Sequence, residues 1–197
     1  MAVEHLLFGF LVKIITGFDD TLTNVPVLAS VTKVRMGKIA FSVGTLLAIA
    51  AAIIASMLLT QAIGFFRYSR YIAAALIFLL AALIYFDVFV HKPRTKAEKK
   101  LMHRQKISAE HFTKLIGIGF FATIVTALDD IIAYTPLFLG AGFRVAAFAI
   151  AGILAATIVE IILVVYFAGM IAKIKHKQQI ASAGLVILGI LTLSGII

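Results

Sequence analysis

Six long apolar runs, near residues 5–32, 39–65, 71–90, 112–142, 145–171 and 179–197, leave this chain few ways to fold. A helix needs about 20 apolar residues to cross a bilayer, and each run reaches or approaches that length. Only 14% of the 197 residues are charged, against roughly a quarter in a soluble domain. The polar surface is too small to clothe a soluble particle, and no stretch remains for a separate soluble domain. The expectation is an all-α membrane protein with six transmembrane helices. The first and fourth runs exceed the need of a straight span, so tilt or a break is expected in them.

The chain has no cysteine, which excludes disulfides, thiolate metal sites and cysteine nucleophiles. It begins Met-Ala-Val-Glu-His and enters the first run without a basic n-region. That stretch reads as a first span and not as a signal peptide.

Charge sets the orientation. If the N-terminus is outside, fourteen Lys and Arg residues fall on inner loops and three (Arg67, Arg70, Arg144) on outer ones. Eight of the fourteen lie in or beside the segment 91–111. The positive-inside rule therefore predicts both termini outside and a basic cytoplasmic loop over 91–111, in the cell inner (plasma) membrane. The net charge of +9 is accounted for by headgroup-facing loops, with no nucleic-acid partner.

Two segments of the chain repeat. Thr16-Gly-Phe-Asp-Asp-Thr-Leu-Thr-Asn-Val-Pro26 aligns at an offset of 110 with Thr126-Ala-Leu-Asp-Asp-Ile-Ile-Ala-Tyr-Thr-Pro136. Ala40-Phe41 matches Ala147-Phe148, and Ile72-Ala-Ala-Ala75 matches Ile180-Ala-Ser-Ala183. The reading is a three-helix repeat over 1–90, the loop 91–111, and a second three-helix repeat over 112–197. Three is odd, so the second copy enters the membrane from the opposite side. Inverted repeats of this kind build many secondary transporters, with the substrate site at the midplane.

The duplicated feature is an aspartate pair, Asp19-Asp20 and Asp129-Asp130, inside the first and fourth runs. An Asp at a span centre costs on the order of 2.5–3.5 kcal/mol, roughly 10–14 for four. A bound cation, shared protons, water or buried donors must offset that. Pro26 and Pro136 lack an N–H and crowd the carbonyl four residues back, freeing oxygens at Leu22 and Ile132 near the pairs. Thr16, Thr23 and Asn24 share the Asp20 face, and Thr126 and Tyr134 hold the equivalent places around Asp130. Carboxylates with carbonyls and hydroxyls suit a hard divalent ion such as Mn²⁺, Ca²⁺ or Mg²⁺.

Two more charges fall inside runs. Glu160 is expected to couple protons or add a ligand, and its aligned position in the first repeat is Ile53. Lys13, seven residues before Asp20, either pairs with a carboxylate when no metal is bound or snorkels to the outer surface. Enzymatic readings are set aside. No second Asp follows at the DDxxD spacing of prenyltransferases, and the Tyr-Asp and Gly-x-Gly-Asp settings of intramembrane aspartyl proteases are missing.

With its paired motifs, the chain resembles the lysine-exporter superfamily of small six-helix transporters built from two three-helix repeats. Within it the similarity is to the cadmium-resistance transporters, which carry an Asp-Asp or Asp-Asn pair in the first helix of a repeat, and in which a proline can follow the pair. Tellurium-resistance-type membrane proteins and bacterial manganese exporters are similar in outline. The architectural likeness covers nearly the whole chain; the motif likeness covers two stretches of eleven residues. It implies export of a divalent cation of the Mn, Ca or Cd class, with Asp19, Asp20, Asp129 and Asp130 as the metal site. This chain departs in carrying a full Asp-Asp in both copies, and it lacks the Glu-x-Gly-Asp of the related calcium/manganese exchangers.

The expected function is thus a proton-coupled, alternating-access exporter of a divalent metal cation. It needs no cofactor besides the transported ion and protons, its partners are membrane lipid and that ion, and it is compatible with a homodimer. The alternative from the same superfamily is an exporter of an amino acid or other organic cation.

Overall fold

A computed structural model describes the backbone of residues 2–31, 35–85, 112–171 and 177–196. The expected basic loop 91–111 lies outside the described residues. So do the side chains of 18–31, 35–36, 125–126 and 167–171 and several at the start of the last helix. All regular structure among the described residues is α-helical: α1 (Ala2–Val31), α2 (Arg35–Gly64), α3 (Ser69–Tyr85), α4 (Phe112–Thr126), α5 (Leu128–Phe138), α6 (Phe143–Ile171) and α7 (Lys177–Ser194). These helices fall on the six apolar runs, with the fourth run divided between α4 and α5.

That division is the break expected of an overlong run. It comes at Ala127, whose φ of −76° and ψ of 9° lie in the sparsely populated bridge region, and it bends the axis by 68°. Ala127 still donates its N–H to Thr123 (2.9 Å), and its carbonyl accepts from Ile131 (3.0 Å). Pairing across the break matters because hydrocarbon offers no substitute for a lost backbone hydrogen bond. Neither proline ends a helix where it stands. Pro136 lies inside α5, and α1 continues through Pro26 to Val31.

Two helices, over Gly37–Gly64 and Phe143–Tyr166, are long and apolar enough to cross a membrane, and α4 with α5 makes a third if the bent pair is one span. The α3 helix and Ser182–Ser194 of α7 are apolar but shorter, and α1 carries Glu4, Lys13, Asp19 and Asp20. Large apolar side chains ring the outside: Leu11, Leu47, Ile54, Leu58, Phe121, Ile158 and Ile187 are all half-exposed or more. Lipid chains cover such a perimeter without penalty, so the surface is consistent with a membrane location.

The closest packing is between α1 and α6 and between α2 and α4, followed by α3 with α7. Glycines permit it. A Cβ on Gly9 would strike the carbonyl of Ala149, and one on Gly152 would strike that of Leu6. The α2–α4 crossing repeats this, with Gly44 against the Ile116 carbonyl and Gly119 against that of Phe41. Small residues at helix crossings let backbones meet where no hydrophobic force pulls them together. Gly9 and Gly119 stand at the same offset of 110 as the aspartate motifs, and Gly44 and Gly152 at 108.

Short α5 is the hub, packed against every other helix. Its residues 133–138 are all buried, and it pins α2 through a Thr60 hydroxyl donated to the Thr135 carbonyl (3.1 Å). The bundle has two distinct ends. At one, a cavity of about 340 Å³ is lined by His5, Arg70, Pro136, Gly140 and Gly195, drawing together the start of α1, the start of α3, the α5–α6 turn and the end of α7. At the other, Phe41, Leu115, Ile118 and Val164 form a small apolar cluster, and the Lys38 ammonium lies 5.8 Å from the centre of the Tyr166 ring.

The glycine crossings yield a test within one helix. A Cβ on Gly119 would lie 2.6 Å from the Phe41 carbonyl, whereas one on Gly117 meets nothing within 4 Å. Gly119→Ala is expected to destabilise by about 1–3 kcal/mol through overpacking. Gly117→Ala should be neutral or stabilising by up to about 1 kcal/mol from helix propensity. Thermal unfolding in detergent micelles measures both; equal melting temperatures would contradict the close crossing.

Candidate functional site

Where α1, α5 and α6 meet, the apolar core contains charge. Lys13 on α1 is 1% exposed, Asp130 on α5 is 0% and Glu160 on α6 is 7%. The Lys13 ammonium lies 3.0 Å from Asp130 Oδ2 and 3.1 Å from Glu160 Oε2. The second oxygen of Asp130 is taken by Thr16, whose hydroxyl donates to Oδ1. Both oxygens of a fully buried carboxylate thus have partners, as burial requires.

Each group owes its place to a local feature. The Gly9–Gly152 crossing brings α1 and α6 together, and about two turns further along each helix stand Gly17 and Glu160. A Cβ on Gly17 would lie 2.8 Å from Glu160 Oε2 and 3.0 Å from Lys13 Nζ. Glycine there leaves the space in which the ion pair lies. Lys13 and Thr16 are three residues apart, so they share one face of α1.

The break at Ala127 positions the aspartates. Asp129 and Asp130 form the first turn of α5, where the helix dipole and unpaired N–H groups favour negative charge. Asp129 is 4% exposed, and its Oδ1 accepts the Asp130 N–H at 3.1 Å. Asp130 reaches across to α1. One carboxylate of the pair therefore serves its own helix and the other a neighbour, as their 100° separation allows.

Tyr134, one turn after Asp130, is fully buried. Its hydroxyl lies beside the Asp130 carboxylate and within electrostatic reach of Lys13 and Glu160, yet closes no hydrogen bond of normal geometry among the described residues. Between Glu160 and the apolar cluster at the far end is a cavity of about 10 Å³, lined by Phe41, Thr45, Glu160, Ile161, Val164 and Val165. That is room for about one water.

Of the site residues expected from sequence, Lys13, Thr16, Asp129, Asp130, Tyr134 and Glu160 come together here. Lys13 pairs with carboxylates instead of snorkelling to the surface. The side chains of Asp19, Asp20, Thr23, Asn24 and Thr126 lie outside the described residues. Among the described residues, no three His, Cys, Asp or Glu side chains are grouped so as to hold a metal ion; the gap between Asp130 and Glu160 is filled by the Lys13 ammonium. Gly17 was missed by sequence reasoning. Its signal is a lone glycine one turn after Lys13, where the second copy has Ala127. Comparison with protein-family models, with curated proteins and with solved structures returns no match, so the lysine-exporter resemblance rests on the sequence alone.

Removing one partner of a buried ion pair strands the others and costs about 3–5 kcal/mol. Lys13→Met is expected to lose that much stability, and Lys13→Met with Glu160→Gln to regain about 0.5–3 kcal/mol through coupling. A double-mutant cycle on thermal unfolding decides the point; strictly additive losses would mean that the two side chains do not interact.

Proposed function

We propose that this chain is a secondary transporter that exports a divalent metal cation by alternating access. In this reading it has six spans arranged as two inverted three-helix repeats, and the ion binds between Asp19-Asp20 and Asp129-Asp130, with Glu160 beside them. Protons are the counter-substrate, taken up by carboxylates as the metal leaves.

The observation that carries the proposal is the buried, negatively weighted cluster at the centre of an apolar bundle. Asp130 and Glu160 both contact the one Lys13 ammonium, and Asp129 is buried beside Asp130. Structural stability alone gives little reason to keep such a group, because well-packed apolar residues usually serve as well or better. Intramembrane carboxylates mark ion and proton paths by default.

Two further observations support it. The α1–α6 and α2–α4 crossings use glycines at matching places in the two halves, as a pseudo-two-fold relation would require. Helices also alternate between the two ends: α1, α3 and α6 start at the end with the larger cavities, while α2, α5 and α7 finish there. The cavity of about 340 Å³ at that end is lined in part by Pro136 and Leu137 of the helix that carries Asp130, and a separate one of about 10 Å³ lies beside Glu160.

One observation favours the organic-cation reading. The space between Asp130 and Glu160 holds a primary ammonium, that of Lys13, and an amine substrate presents the same group.

The test is flux in proteoliposomes with Mn²⁺, Ca²⁺, Cd²⁺ and Mg²⁺ in parallel, beside lysine as the amine. Selective metal flux is expected, reduced about a hundredfold in Asp20→Asn and in Asp130→Asn, as when a charge contact to the substrate is removed. Flux of lysine alone, or no metal flux from folded protein, would overturn the metal assignment.

A further inference from the structure

We propose that the Lys13 ammonium is a tethered stand-in for the transported cation. It occupies the carboxylate site when that site is empty, leaves as a cation enters, and carries the charge that lets the empty transporter reorient. This deepens the transport reading above and rests on it.

Position is the first argument. A divalent ion takes carboxylate oxygens at about 2.0–2.6 Å, and Lys13 Nζ already lies 3.0 Å from Asp130 and 3.1 Å from Glu160. An ion bridging those two carboxylates would be nearly in contact with the ammonium. Two cations cannot share that space in a weakly polar interior, so occupancy by one excludes the other. Lysine suits the task because its charge rides on a flexible four-carbon stem.

Room is the second. Gly17 keeps the volume beside Nζ and Glu160 Oε2 free of any side chain. An alanine would crowd both groups, so the local sequence accommodates this ion pair in particular.

Connectivity is the third. Lys13 is on α1, whereas Asp130 and Glu160 are on α5 and α6. The ammonium therefore ties elements of the first half to elements of the second, across the contact at which rocking has to occur. The matching place in the other half holds no charge: Thr123, at the offset of 110 from Lys13, donates its hydroxyl to Thr45 at 3.3 Å. The device is present once among the described residues.

The energetics supply a role. An empty site with bare carboxylates resists passage through the closed, dry intermediate that alternating access requires. With Lys13 seated, that intermediate carries less charge. Cation binding and latch closure oppose one another, and their coupling is reciprocal.

Two variants of the full-length chain test this, Lys13→Met and Lys13→Gln. The second keeps a hydrogen-bonding amide without charge, should the first fail to fold. Equilibrium dialysis against Mn²⁺, Ca²⁺, Cd²⁺ and Mg²⁺ is expected to show tighter binding of the ion that wild type binds, by roughly 5–150-fold, the usual range of such coupling. In vesicles, net efflux should fall by roughly tenfold or more, as an uncompensated carboxylate raises the barrier to empty return. Exchange of radiolabelled ion at equal concentrations on both sides, which needs no empty return, should persist. Unchanged or weaker affinity in a folded variant, or net efflux equal to wild type, would overturn the latch alone. Wild type that binds none of the four ions would take down the metal reading and the latch with it.

Discussion

Charge inside an apolar bundle has to be neutralised locally, because neither lipid nor the protein interior solvates it. Much of this structure follows from meeting that demand around Asp130. Lys13 and Thr16 partner its two oxygens. The bend at Ala127 delivers the carboxylate at a helix start, where the backbone itself is electropositive. Glycine at position 17 clears space for the Lys13–Glu160 contact, and glycines 9 and 152 bring the two helices close enough for it. Replacing the ion pairs by apolar side chains would remove the need for all of these features together.

Their shared centre is α5, eleven residues long and touched by every other helix. It begins at the charged cluster and ends at the wall of the cavity of about 340 Å³, with Tyr134 between the two. A short rigid element that contacts both the site and its surroundings transmits displacement efficiently, since packed interfaces shift as units. On the proposed reading, a change at the carboxylates reaches the cavity wall along this one helix.

Helix positions were legible from the apolar runs, because a bilayer-length run has one economical backbone solution. The overlong fourth run announced its break. Where the break falls was not legible: Pro136 was the visible disturbance, yet the chain bends at Ala127, a residue with no propensity to bend. Burial of the aspartates at 129 and 130 was legible from their placement, as was a shared face for Lys13 and Thr16 from their spacing. Which helix that face meets was not, because spacing within one helix says nothing about its neighbour. The α1–α6 adjacency, which gives Lys13 its second partner, became visible only through packing at Gly9 and Gly152. The first aspartate pair remains a sequence-level expectation.

The two segments that repeat in the sequence are unequal in charge. Lys13 corresponds to Thr123, and Glu160 has only apolar residues at its matching place. A perfectly symmetric pair of repeats would exchange conformations between states of identical energy, resting half the time in each. An ion pair whose members lack counterparts removes that degeneracy. On the proposed transport reading, the idle protein then has a preferred orientation, and its direction of rest is written into two side chains rather than into the membrane gradient.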